Sequence, residues 1–250
     1  MKKVKVIGLD TETYLDDDRT HKPLSIQIYS EDISFNDILT HNENVRHIGD
    51  YGLIIYVYEG NLTPLEMLIR YRLRGAYIFT FNLAFDISVL AKVLNKLGLN
   101  PEVFEAGGRT ITARINFQKY IIRFYDLRNI FMVRSLAKLG KLVGYEKLRK
   151  PELLGRKELI DAIKTNEDVR KEFEEYAITD AKICYLAGKK LLELINKPKG
   201  TIGSISVREY FSKVRNRGFI KINDRKRYFD TLLSFPSYPD SIKEKLKKAY

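Results

Sequence analysis

The chain has 250 residues, with 44 Lys and Arg against 32 Asp and Glu, 44% hydrophobic residues and a single cysteine. That length suits one large α/β domain with an appendage, and the apolar and aromatic content is too high for a disordered chain. Cys184 alone excludes a disulfide framework and a cysteine-based zinc site, and no apolar run approaches the roughly 18–20 residues of a membrane span. The opening Met-Lys-Lys-Val also lacks the apolar stretch of a signal peptide, so a soluble, intracellular, cytoplasmic protein with no membrane partner is expected.

In chain order, residues 4–9 (V-K-V-I-G-L) predict a buried strand running into Asp10, and residues 24–29 and 53–58 predict two more. Thr63-Pro64 supplies an N-cap and a first-turn proline for a helix to about residue 74. Residues 76–81 form a fourth strand. Residues 86–97 have helical spacing and stop at Gly98, while 109–117 and 120–125 alternate like a paired hairpin. Beyond Ser135 the pattern is mostly helical, with 166–195 the longest helix and Asn196-Lys197-Pro198-Lys199-Gly200 a linker. The order of strands and helices predicts an α/β fold in which helices cover a mixed sheet. Residues 1–196 would form that domain and residues 197–250 a basic extension.

Charge is concentrated in the extension. Residues 197–250 hold 14 basic and 5 acidic side chains, against 30 and 27 in the first 196. Such a tail suits a polyanion, because each cation near a phosphate releases condensed counterions. Simple solubility explains it equally well.

Three groups of residues bear on chemistry. Asp10 and Glu12 stand in D-T-E at the end of the first strand, and positions two apart on a strand share a face, so both carboxylates can reach one hard cation. Alone, such a pair arises by chance in any charged chain. Asp86 closes F-N-L-A-F-D at a strand-to-helix junction, where active-site residues of open α/β sheets gather, although a lone Asp there reads as a helix N-cap. Tyr176 and Asp180 in Y-A-I-T-D are four apart on the long helix, which puts phenol and carboxylate on one face.

In order, spacing and placement the three groups resemble the exonuclease motifs of the DEDDy 3′–5′ exonucleases. The chain is most similar to the proofreading domain of family B DNA polymerases, through G-L-D-T-E-T, F-N-L-A-F-D, F-Y-D-L-R, S-L-A-K-L-G-K-L-V-G and Y-A-I-T-D-A-K-I. The likeness runs from about residue 4 to about residue 214. No polymerase palm motif follows it. The resemblance implies a ribonuclease-H-like exonuclease fold and a two-metal hydrolysis of single-stranded DNA, or of frayed 3′ ends, to nucleoside monophosphates. Two divalent ions, Mg²⁺ or Mn²⁺, would be the cofactors, with Asp10, Glu12, Asp86 and Asp180 as metal ligands. It further implies that Asp10 bridges both ions, that Glu12 and Asp180 complete the site of the water-activating ion, and that Asp86 holds the second ion through water. Tyr176 would orient the attacking water by hydrogen bonding, since an unperturbed phenol near pKa ~10 is a poor base at neutral pH. His21, His41 and His47 all precede the third strand and are read as surface or structural residues.

The same resemblance places Thr13, Asn82 and Phe85 against the 3′-terminal nucleotides, and Ser135 and Leu136 against the single strand. Phe85 reads equally as core packing and Ser135 as a helix N-cap. Protein-primed members of the family add a lysine near the scissile phosphate. Lys150 in K-P-E-L is preferred to Lys157 in K-E-L-I because it lies closer to the family position. Asp126 is read as support for the sheet end.

Two other readings use the same residues: an exoribonuclease resembling ribonuclease D, and a catalytically idle single-strand-binding module derived from a polymerase. The length and the lysine-rich end favour a free-standing exonuclease. The resemblance to protein-primed members, which occur in viruses, phages and linear plasmids, implies that a mobile element encodes it. Its basic tail would grip the DNA backbone, bind a separate DNA polymerase or cap the fold.

Overall fold

The computed structural model describes residues 4–35, 42–106, 108–118, 120–195, 198 and 201. The basic extension read from the sequence therefore lies outside the described residues, apart from Pro198 and Thr201, as does His41.

Strand β1 (Lys5–Leu15) continues well past the expected end at residue 9. It does so because β2 (His21–Tyr29) pairs antiparallel along it from Gly8 opposite Tyr29 to Leu15 opposite His21, with a register shift between Glu12 and Thr13. Asp10 and Glu12 thus sit inside a paired strand, not at a free end. Strand β3 (Val45–Ile48) was not expected, since four residues are too few for a visible alternation; it pairs with β4 (Gly52–Tyr56). Helix α1 (Thr63–Tyr71) follows. Thr63 is its first helical residue and not its cap, and the Asn61 carbonyl Oδ1 accepts the Thr63 backbone N–H at 3.2 Å instead.

β5 (Ala76–Thr80) leads into α2 (Leu83–Leu94), which a single 3₁₀ turn extends to Leu97 before Gly98 ends it at φ 71°. β6 (Pro101–Ala106) was also not expected; it begins with proline, which fits an edge position. β7 (Arg109–Phe117) and β8 (Tyr120–Asp126) form the expected hairpin. Then come α3 (Leu127–Phe131), α4 (Leu136–Val143), α5 (Glu158–Thr165) and the 28-residue α6 (Glu167–Leu194). The Asn166 side chain accepts the backbone N–H groups of Asp168 and Val169 at the start of α6, and Glu167 and Asp168 complement the positive end of its dipole.

Among the described residues, eight strands form one mixed sheet in the order β3-β4-β2-β1-β5-β8-β7-β6. β1 pairs parallel with β5, and β5 with β8, while the other pairs are antiparallel. On one face, Ile7 and Leu9 pack in a core with Leu83, Ile87 and Leu90 of α2 and Leu65 and Leu68 of α1. On the other, Phe173, Tyr176 and Ala177 of α6 pack with Leu24, Ile54 and Tyr56. The sheet is covered by helices on both faces, as the order of elements predicts. No described helix is long and apolar enough to cross a membrane.

Candidate metal centre

The centre depends on how closely α6 approaches β1. A Cβ at Gly8 would lie 1.9 Å from the Ala181 carbonyl oxygen and 2.4 Å from the Tyr185 backbone nitrogen, so only glycine lets the helix rest on the strand there. Ala177, Ala181 and Cys184 on the helix are fully buried, and their small side chains sustain the same approach. Two and four residues beyond Gly8, Asp10 and Glu12 face Asp180. Ligand oxygens of these three carboxylates all lie within 4.8 Å of one another.

Asp86 stands outside this trio. It belongs to the first turn of α2, is 1% exposed, and accepts a hydrogen bond from the Thr11 hydroxyl at 2.8 Å. Its charge nonetheless acts on Asp10. Asp126 accepts the backbone N–H groups of Asn82 at 3.1 Å and Arg128 at 2.8 Å, and so ties the end of β8 to the start of α2, the supporting role expected of it.

Tyr176 lies one helical turn before Asp180. Its hydroxyl accepts a hydrogen bond from Lys147 Nζ at 3.1 Å, and the same ammonium bonds Asp180 Oδ2. It lies 4.4 Å from the centroid of the Tyr176 ring. Lys147 was not anticipated. It sits in E-K-L-R-K between α4 and α5, where the sequence has no periodicity to select one lysine over another. Lys150 acts on Glu12 through its charge, whereas Lys157 pairs with Asp17 at 2.6 Å on an exposed surface.

The remaining expected residues are placed as follows. Asn82 precedes α2 in the left-handed region (φ 70°), and its side-chain carbonyl accepts from Arg128 at 3.4 Å. Phe85 is 39% exposed and is therefore not core packing. Thr13 is buried, its hydroxyl 3.1 Å from Nδ1 of His21. Ser135 caps α4 by accepting the Lys138 backbone N–H at 3.3 Å, as its alternative reading expects, and Leu136 is buried. Beside Asn82 opens a cleft of about 660 Å³, bordered by Arg109, Arg128 and Arg134, with Glu105, Asp126 and the exposed Met132.

Burial raises the carboxyl pKa values of Asp10, Glu12, Asp86 and Asp180. For Asp10 the charges of Glu12, Asp86 and Asp180 add to it. Glu12 is pushed up to about 8 by burial and by Asp180, against the pull of Lys147 and Lys150. Tyr176 is raised by burial and by the Asp180 charge, so its phenol stays protonated near neutral pH. Burial also raises the Cys184 thiol, which excludes a reactive thiolate.

This donor set fits divalent metal. Four carboxylates crowded in a desolvated site repel one another unless protons or cations offset them. Asp86 Oδ2 and Asp180 Oδ1 are buried without a hydrogen-bond partner, as oxygens reserved for a cation would be. Hard carboxylate oxygens favour Mg²⁺ or Mn²⁺ over softer ions.

One expected consequence concerns pH. With Glu12 raised from 4.5 to about 8, the folded protein binds more protons than the unfolded chain between those values. Stability in EDTA is then fully present below pH 4.5 and falls as pH rises toward 8. Glu12→Gln should flatten that slope and stabilise the metal-free protein at pH 8 by about 1–2 kcal/mol, a value discounted for partial solvent access. Thermal unfolding in EDTA from pH 5 to 9 measures it; parallel curves for the two proteins would contradict the assigned shift.

The fold and the acidic centre together define an α/β protein with a candidate divalent-metal site on its central strand. No family model and no curated protein matches the chain. Among solved structures, phi29 DNA polymerase complexed with single-stranded DNA matches it with a TM-score of 0.55 at 16% identity. The same polymerase complexed with primer-template DNA, in a post-translocation binary complex, matches with a TM-score of 0.54 at 17% identity. Each match covers 87% of this chain but only 36% of the polymerase, so the chain spans about a third of that protein. The fold is accordingly the expected mixed α/β fold, an eight-stranded mixed sheet flanked by helices that is consistent with a ribonuclease-H-like exonuclease fold and resembles phi29 DNA polymerase.

Proposed function

We propose that this chain is a metal-dependent 3′–5′ exonuclease of the DEDDy type that shortens single-stranded DNA or frayed 3′ ends to nucleoside monophosphates. Residues 1–196 would form its catalytic domain. The observation that carries this reading is the convergence of Asp10, Glu12 and Asp180 within 4.8 Å, with Tyr176 one turn from Asp180 on the same helix. Asp86 stands beside this trio on the first turn of α2.

Asp10, Glu12 and Asp180 would hold divalent ions, with Asp86 contributing from the α2 side. Once bound, such ions supply a metal-activated water and Lewis-acid stabilisation of the leaving oxygen. Tyr176 acts as a neutral hydrogen-bonding group that orients the attacking water, because its raised pKa removes it as a base. We assign the lysine near the scissile phosphate to Lys147, not to Lys150 or Lys157, because its ammonium contacts both Tyr176 and Asp180. A fixed cation there offsets charge that develops on the phosphate.

Exposed Phe85 offers a ring for sequence-tolerant stacking, worth about 1–3 kcal/mol per base. The arginine-bordered cleft offers a route for the strand. That the two matched polymerase structures hold single-stranded and primer-template DNA favours DNA over RNA.

The test is digestion of 5′-labelled single-stranded DNA and a matched RNA with Mg²⁺ or Mn²⁺. A DNA ladder that shortens from the 3′ end and is silent in EDTA is the expected result. Faster decay of the RNA would make the protein an exoribonuclease, and tight binding without cleavage would make it an idle single-strand-binding module.

A further inference from the structure

Thr11 lies between the two carboxylates of D-T-E, and strand alternation turns its side chain away from Asp10 and Glu12 toward the α2 face of the sheet. There its hydroxyl, on a residue 3% exposed, donates to Asp86 Oδ1 at 2.8 Å. The bond joins elements 75 residues apart. Hydroxyl-to-carboxylate bonds in dry surroundings are short and strong, and they fix the rotamer of the acceptor. One oxygen of Asp86 is therefore tied to β1. The other, Oδ2, is buried and accepts no hydrogen bond. The Thr80 hydroxyl also acts on this carboxylate as a hydrogen-bonding neighbour, although neither it nor Oδ2 has a partner in full hydrogen-bond geometry. A buried strand position is satisfied by valine as well as by threonine, so the fold alone does not call for a hydroxyl here.

We propose that Thr11 is a positioning residue that holds Asp86 by Oδ1 so that Oδ2 remains directed to a divalent cation shared with the trio on the opposite face. β1 would then serve both halves of the centre: Asp10 and Glu12 bind from one face, and Thr11 orients the fourth carboxylate from the other. This proposal rests on the metal-centre reading above and adds a role that the resemblance does not assign.

The test is Mn²⁺ binding by titration calorimetry with the wild-type chain, Thr11→Val, Thr11→Ser, Asp86→Ala and Thr11→Val in the Asp86→Ala background. Thermal midpoints in EDTA confirm that each variant folds. Thr11→Val is expected to keep one Mn²⁺ and to bind the second at least tenfold more weakly, while Thr11→Ser restores wild-type binding. In the Asp86→Ala background Thr11→Val should change nothing further. Two ions bound with equal affinity by wild type and Thr11→Val would overturn the role of Thr11 and leave the metal centre intact. A Thr11→Val loss that persists without Asp86 would also overturn it. A wild-type chain that binds no Mn²⁺ would instead remove the metal centre, and the Thr11 proposal with it.

Discussion

Asp10→Ala is expected to lower Mn²⁺-dependent release of nucleotides from a single-stranded 3′ end by roughly 10³-fold or more. Asp10 is the carboxylate on which the charges of Glu12, Asp86 and Asp180 all act, so it is the group best placed to share cations with the others. Its removal forfeits several kcal/mol of metal-borne charge stabilisation, at about tenfold in rate per 1.36 kcal/mol. The lysines supply a graded comparison in the same assay. Lys147→Met should cost roughly 10²-fold, as loss of one fixed donor at developing charge typically does. Lys157→Met should leave the rate unchanged, because its partner Asp17 lies on an exposed surface away from the carboxylates. An Asp10→Ala protein that retains wild-type turnover would sink the proposed mechanism. Equal losses for the two lysine variants would sink the assignment of Lys147.

The second large effect is expected at a residue with no functional group. Gly8→Ala places a Cβ 1.9 Å from one backbone atom of α6 and 2.4 Å from another, and neither can yield without moving the helix. Overpacking of this kind typically costs about 1–3 kcal/mol where side chains can adjust, and more where backbone must move. We expect at least about 3 kcal/mol, which for a domain of this size lowers the thermal midpoint by roughly 6–12 °C. Because Asp180 rides on the displaced helix, Mn²⁺ affinity should fall together with stability. Chemical denaturation and Mn²⁺ titration of the variant measure the two effects. A loss below about 1 kcal/mol would mean that α6 does not rest on β1 as described.

The expected strands and helices mostly formed, and the exceptions share a cause. Local periodicity reveals an element only when enough residues face a core in register. α6, with 28 residues and Asn166 at its start, offered ample pattern, and so did the hairpin of β7 and β8. β3 and β6 offered four and six residues at the margins of the sheet. The extent of β1 beyond Asp10 was invisible for another reason: β2 pairing, not apolar alternation, sustains the strand through Glu12 to Leu15.

At the centre the division is similar. The amino-acid sequence by itself determined that Asp10 and Glu12 share a strand face and that Tyr176 and Asp180 share a helix face, because backbone periods of 2.0 and 3.6 residues leave no other arrangement. It could not determine which lysine joins them, since Lys147, Lys150 and Lys157 lie between helices where no period applies. Nor could it reveal that Thr11 reaches Asp86 across 75 residues. Only the tertiary structure decided these matters. Convergence of remote side chains depends on how closely α6 and α2 pack against β1, and that packing depends on the absent side chain of Gly8, which no local pattern records.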